Sequence, residues 1–179
     1  NTNLILKSKK HALMSFNALS NLNVIYLLYS NMYNASKMKY NKKDLIELET
    51  FRFYTLNNDL LGLHETENIL NLDVYNLLIQ SASGHHGLLA NNRKFYWNSI
   101  ENYFEPIYYD SNSNIDIEPT YLLLPVSKQI MTAFSKLENL LDNVDILELN
   151  NKLNFRGFNL NINGTKIKIE KLKNNLNKL

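Results

Sequence analysis

Two short aromatic runs, Arg93 to Trp97 and Tyr103 to Tyr109, flank the stretch Asn98-Ser99-Ile100-Glu101-Asn102 near the middle of the chain. Aromatic and β-branched residues fit a pleated, half-buried surface. A short polar break between two such runs is the signature of a β-hairpin. Helix-spaced apolar residues lie on both sides of it, so the expected fold class is α+β, with helices around a central β-hairpin.

On the N-terminal side, Leu13, Phe16, Leu19 and Leu22 have helical spacing, and the nearly continuous apolar run from Val24 fits a buried strand. The polar stretch Asn34 to Lys43 reads as an exposed connection. Asp44 and Glu47 form a capping box for a helix with Leu45, Leu48, Phe51 and Leu56, ended by Asn57, Asn58 and Asp59. A further helix is predicted from an Asn71 N-cap to Ser83, with Asp73 in its first turn and Gly84 as its C-terminal cap. Its apolar face is Leu72, Tyr75, Leu78, Ile79 and Ala82. Residues 85–92 and Asp110 to Asn114 have no period and are expected to be loops.

Beyond them, Ser127 caps a helix with the stripe Ile130, Met131, Phe134, Leu137, Leu140 and Leu141, the pattern of core packing. Near the C-terminus, Phe158, Leu160 and Ile162 alternate with asparagines, and Ile167 and Ile169 alternate with lysines. With Asn163-Gly164 between them as a type I′ turn, a second small β-hairpin is expected there.

Composition narrows the function classes. At 179 residues, 45% hydrophobic and 20% charged, the chain has enough apolar material for a core and is not of disordered composition. A net charge of +2 excludes a strongly cationic nucleic-acid tail. No cysteine is present, which removes disulfides, thiolate zinc sites and cysteine nucleophiles. The longest wholly apolar run, Val24 to Tyr29, falls far short of the roughly 20 residues of a bilayer span. Without a leading methionine or a signal-like segment, the chain reads as a fragment. Its richness in Asn, Lys, Ile and Tyr reads as the mark of an AT-rich coding sequence.

The chemistry-bearing stretch is Ser81 to Asp116. If Asn98 pairs with Tyr103, paired residue numbers sum to 201 and Asn91 falls opposite Asp110; a register one residue longer puts Asn92 there. Either way an amide carbonyl meets a carboxylate at the hairpin's open end, a hard oxygen set suited to Mg²⁺ or Ca²⁺. Asn and Asp also terminate strands for purely local reasons. A helix, a loop ending in a metal-binding Asn, and a hairpin delivering a metal-binding Asp is the layout of kinase-type phosphoryl transfer.

Three segments, His86-Gly87, Asn91-Asn92-Arg93-Lys94-Phe95-Tyr96 and Phe104-Glu105-Pro106-Ile107-Tyr108-Tyr109-Asp110, resemble the bacterial spore-coat CotH kinase-like family. In that family an H-x-x-N-Y-Y-L-Y-type loop and strand precede a strand reading aromatic, x, Pro, aromatic, Asp. The resemblance is centred on residues 81–116. It implies a protein-kinase-like C-terminal lobe over residues 1–126, N-terminally truncated, with residues 127–179 as a helix-plus-hairpin extension of the same domain. It further implies ATP as phosphate donor, Mg²⁺ held by Asp110 and by Asn91 or Asn92, and a protein substrate.

Departures from the pattern are equally specific. The kinase base is an Asp five residues before the catalytic asparagine, yet that position is His86 counted from Asn91 or Gly87 counted from Asn92. No acid lies between Asp73 and Glu101, so the expected base is missing unless His86 substitutes for it or the base comes from elsewhere in the chain. No glycine-rich nucleotide loop occurs either, as Gly62 stands alone.

Two other readings follow from these departures. One is a non-catalytic kinase-like module for binding or scaffolding. The other is an RNA-binding or ribosome-associated protein, drawn from the Asn/Lys bias and the lysines from Lys166 to Lys178, a run that ordinarily forms a solvated face. Nucleic acid is not the expected partner at this net charge, and Arg93 and Lys94 read as solvated strand ends. His85 and His86, being adjacent, point apart on an extended backbone. Ser81, Ser83 and His85 lack the acid and the elbow of a hydrolase.

Overall fold

The computed structural model describes residues 12–24, 27, 61–63, 65–88, 92–101, 103–119 and 127–179. The elements are α1 (Thr66–Ser81), a single 3-10 turn (His85–Leu88), β1 (Lys94–Asn98), β2 (Tyr103–Ile107), α2 (Lys128–Asp142), α3 (Ile146–Phe155) and α4 (Ile162–Leu176). The α+β class is therefore observed. The chain divides into two compact units: residues 1–69 with 89–108, and residues 70–88 with 109–179.

In the first unit, residues 12–22 are helical, as the spacing predicts, with Leu13, Phe16, Leu19 and Leu22 exposed; Val24 and Leu27, expected in a buried strand, are helical and exposed instead. The predicted helix over 45–56 and its flanking segments lie outside the described residues. The central hairpin forms where expected. Its antiparallel register runs from Lys94↔Ile107 to Asn98↔Tyr103, each pair summing to 201. The turn is built by Asn98, whose Oδ1 accepts from the amides of Ile100 and Glu101, both at 3.1 Å, while its Nδ2 donates to Glu105 Oε1. An asparagine at a strand end thus takes the place of a backbone acceptor. One face of the hairpin is aromatic: Phe104 is buried, with Trp97 edge-on at 4.7 Å and Phe95 at 6.4 Å. The Phe104 amide donates to the Leu61 carbonyl at 2.7 Å, fixing residues 61–63 against β2.

In the second unit, Ser127 caps α2 as predicted, its Oγ accepting from the Ile130 amide at 3.2 Å. The buried face is Ile130, Ala133, Leu137 and Leu141, whereas Met131 and Leu140 of the predicted stripe are more than half exposed. The stripe is narrower than hydrophobicity alone implies.

Three expectations are corrected. First, α1 begins at Thr66, not at Asn71. No breaker separates the two, and the interior asparagine and aspartate are held by α2 instead of capping: Lys136 Nζ donates to Asn71 Oδ1 at 2.8 Å and Gln129 Nε2 to Asp73 Oδ2. Second, Gly84 is not the left-handed cap. Ser83 takes that conformation (φ 53°), with the Ser83 amide donating to Gln80 O and the Gly84 amide to Ile79 O, the paired bonds of a Schellman ending.

Third, the C-terminal hairpin is absent, and its residues form the irregular connection that follows α3 and the first half of α4. A type I′ turn needs positive φ at Asn163 and Gly164, and neither has it. Asn161 is instead the N-cap of α4, accepting from the Gly164 amide at 2.7 Å. Thr165, Leu172 and Leu176 are buried at helical spacing. The Ile/Lys alternation spans only four residues, too few to separate a period of 2 from one of 3.6. The chain reverses instead at Gly157 (φ 92°), which ends α3.

Helix α4 packs against both α2 and α3. It also buries Asn175, 5% exposed, whose Nδ2 lies 3.0, 3.0 and 3.1 Å from the carbonyl oxygens of Ser81, Ile115 and Ile117. Removing a donor that serves buried carbonyls costs about 1–3 kcal/mol. Asn175→Ala is expected to lower the stability of the protein by that amount, measured as a shift of the denaturant midpoint at unchanged slope.

Candidate functional site around His86 and Asp110

The site is built from two segments of the second unit, residues 81–88 and 109–119. Ser81 Oγ donates to Leu78 O at 2.9 Å and Ser83 Oγ to Ile117 O at 2.7 Å. Both hydroxyls are thus spent on carbonyls, in agreement with the exclusion of a hydrolase triad here. Gly84 leads into the 3-10 turn, which Leu88 anchors by burial while both histidines face solvent.

The chain returns to this unit at Tyr109. Asp110 (φ 44°) and Asn112 (φ 49°) both adopt left-handed backbone, which an Asp or Asn tolerates better than most residues. Between them Ser111 is buried, and its Oγ is 2.8 Å from Ser113 Oγ. The Asn114 amide then donates to Ala82 O at 2.7 Å, tying the return segment to the end of α1.

This arrangement brings together two of the four sequence-predicted site residues. His86 Nε2 lies 3.9 Å from Asp110 Oδ2, with the two side chains 46% and 52% exposed. Asn92 is placed in a turn and belongs to the other unit, and Asn91 lies outside the described residues. The ladder stops at Lys94↔Ile107, and the left-handed Asp110 has left the strand direction. The relation of Asp110 to His86 therefore comes from packing, not from strand register. Among the described residues, no three His, Asp or Glu side chains cluster as a metal site.

The C-terminal lysines have structural partners. Lys168 and Lys171 reach Asp116 at 2.6 and 2.5 Å, Lys173 reaches Asp142 at 2.8 Å, and Lys178 pairs with Glu118. Four of the cations that looked like a solvated basic face are thus bridged to carboxylates. Asp142 accordingly holds the Lys173 ammonium above its usual range. Among the described residues, no helix is long and apolar enough to cross a membrane.

No family model matches the chain, and neither a curated protein nor a solved structure matches it.

Sequence reasoning missed Gly87, Ser111, Asp116 and Asn175. Only Gly87 carried a local signal, since a glycine in a short turn marks either positive φ or a close approach. Hydrogen bonds from Lys168 and Lys171 lower the Asp116 carboxyl to about 2 from its ordinary value near 3.8. A carboxyl with a depressed folded-state value contributes stability that is complete above the unfolded value and is lost as pH falls toward 2. Asp116→Asn is therefore expected to be less stable than wild type at neutral pH. The gap should close between pH 4 and pH 2, as read from denaturant melts at each pH.

Proposed function

We propose that the chain is the metal-binding lobe of a CotH-type, kinase-like phosphotransferase acting on a protein substrate. The observation that carries this reading is the approach of His86 to Asp110 at 3.9 Å on a solvent-open shelf. The order of elements supports it: helix, short turn bearing a histidine, hairpin, then an aspartate that turns back beside the histidine. Left-handed backbone at two nearby non-glycine positions, Asp110 and Asn112, supports it further, because such conformations gather at functional sites.

The donor set fits Mg²⁺, which commonly takes one or two carboxylates and fills its remaining positions with water and phosphate oxygens. Asp110 is an open carboxylate of that kind. When bound, the ion would offset the charge that develops on the transferring phosphoryl group. Asp110 orients the donor. His86 Nε2 takes the proton from the incoming hydroxyl in place of the missing acidic base.

Thermal unfolding with ATP, with and without Mg²⁺, tests this. A ligand at 100 times its Kd stabilises by about 2.7 kcal/mol. For a protein of this size that is roughly 5–10 °C. The expected result is a Mg²⁺-dependent rise of that order, lost in Asp110→Asn, together with phosphotransfer that the same variant abolishes. Full phosphotransfer by Asp110→Asn would remove Asp110 from its role. Nucleotide binding without turnover would make the lobe a binding module, and steeply salt-dependent RNA binding without any ATP response would replace the reading altogether.

A further inference from the structure

Gly87 is buried at the centre of the 3-10 turn, and its Cα faces the backbone of the returning segment. A Cβ built there would sit 2.8 Å from Ser111 Cα, closer still to Ser111 Cβ, and 3.0 Å from the Tyr109 carbonyl oxygen. Two of these three neighbours are backbone atoms and cannot swing aside. The φ of Gly87 is not in the left-handed region, so the glycine is required by space and not by conformation.

The residues that this contact joins flank the candidate site: Gly87 follows His86, and Tyr109 and Ser111 bracket Asp110. Gly84 repeats the theme one turn earlier, where a Cβ would collide with Ser113 Oγ and approach Ile79 O at 3.0 Å. Ser111 and Ser113 bond each other, so the face against which the two glycines pack is itself braced.

We propose that Gly87 is the positioning residue of the His86–Asp110 pair: its missing side chain lets the turn seat on the Tyr109–Ser111 backbone and so brings the imidazole to the carboxylate. The inference rests on the phosphotransferase reading only for the purpose of the pair, not for its geometry.

A protein without cysteine offers a clean test of that geometry. In the double variant H86C/D110C, a short bis-methanethiosulfonate reagent is expected to close the intramolecular link rapidly. Adding Gly87→Ala should slow closure at least tenfold, while far-UV circular dichroism and cooperative unfolding show the chain still folded. Closure at an unchanged rate in the triple variant overturns the proposal. A second arm needs no Gly87 variant and decides the matter where Gly87→Ala does not fold. H85C/D110C, one residue out of register on the same turn, should close at least tenfold more slowly than H86C/D110C, and equal rates overturn the proposal. Neither arm depends on ATP or Mg²⁺, so a failed nucleotide assay leaves the positioning result standing and a failed cross-link leaves the nucleotide result standing.

Discussion

The carbonyl oxygens of Ser81, Ile115 and Ile117 converge on one side-chain amide, that of Asn175. The first belongs to the end of α1, and the other two belong to a segment with no regular structure. Buried backbone acceptors outside helices and strands need partners from elsewhere, and an asparagine amide supplies two hydrogens at a single point. Asn175 comes from the last turn of α4, so the C-terminal helix is what joins the two halves of the candidate site. Lys168 and Lys171 reinforce this from the same helix by holding Asp116 within that segment.

The support is strained, and the strain has visible compensation. Ser83, Asp110 and Asn112 all occupy left-handed backbone without being glycine. Each such residue costs on the order of 1 kcal/mol. Ser83 recovers part of that cost through its bond to Ile117 O and through the paired amide bonds of the helix ending. Around Asp110 and Asn112 the offset comes from the buried Ser111 and from the Asn114 amide reaching Ala82 O. A turn that needed only to reverse the chain would use glycine at these positions, as α3 does at Gly157. The side chains kept at 110 and 112 are polar, and Asp110 is open to solvent.

Legibility in the sequence followed the range of the interactions. The hairpin was readable to within one residue of its register because aromatic pairing and the Asn98 turn act within a dozen residues. The Ser127 cap of α2 was readable for the same reason. The start of α1 was not, because Asn71 and Asp73 look like capping residues until Lys136 and Gln129, more than fifty residues away, are seen to hold them. The C-terminal helix was misread because Asn163-Gly164 carries the strongest short-range hairpin signal, whereas the burial of Leu172 and Leu176 that selects the helix depends on α2 and α3. His86 and Asp110 could be named from residue type and order. Their proximity could not, since it arises from packing between separate segments and not from strand register.

Asparagine is what made the site only partly readable, and the structure shows why. The same residue type caps a helix at Asn161, builds a turn at Asn98, takes left-handed backbone at Asn112 and clamps three carbonyls at Asn175. All four roles exploit one property: a short amide that reproduces the hydrogen-bonding groups of the backbone. In a chain this rich in asparagine, finding one near a hairpin end therefore discriminates little between a metal ligand and a structural substitute for the backbone. A carboxylate discriminates more. The acids at 116, 118 and 142 are each engaged by lysine ammonium groups at hydrogen-bonding range. Asp110 differs in kind. Its nearby cationic candidate is an imidazole at 3.9 Å, beyond hydrogen-bonding range and charged only when protonated. Under the proposed reading, an open carboxylate on left-handed backbone beside a histidine would serve a ligand, whereas the acids at 116, 118 and 142 brace the fold through lysines. The weight of the functional reading accordingly falls on Asp110 and His86, ahead of Asn91 and Asn92.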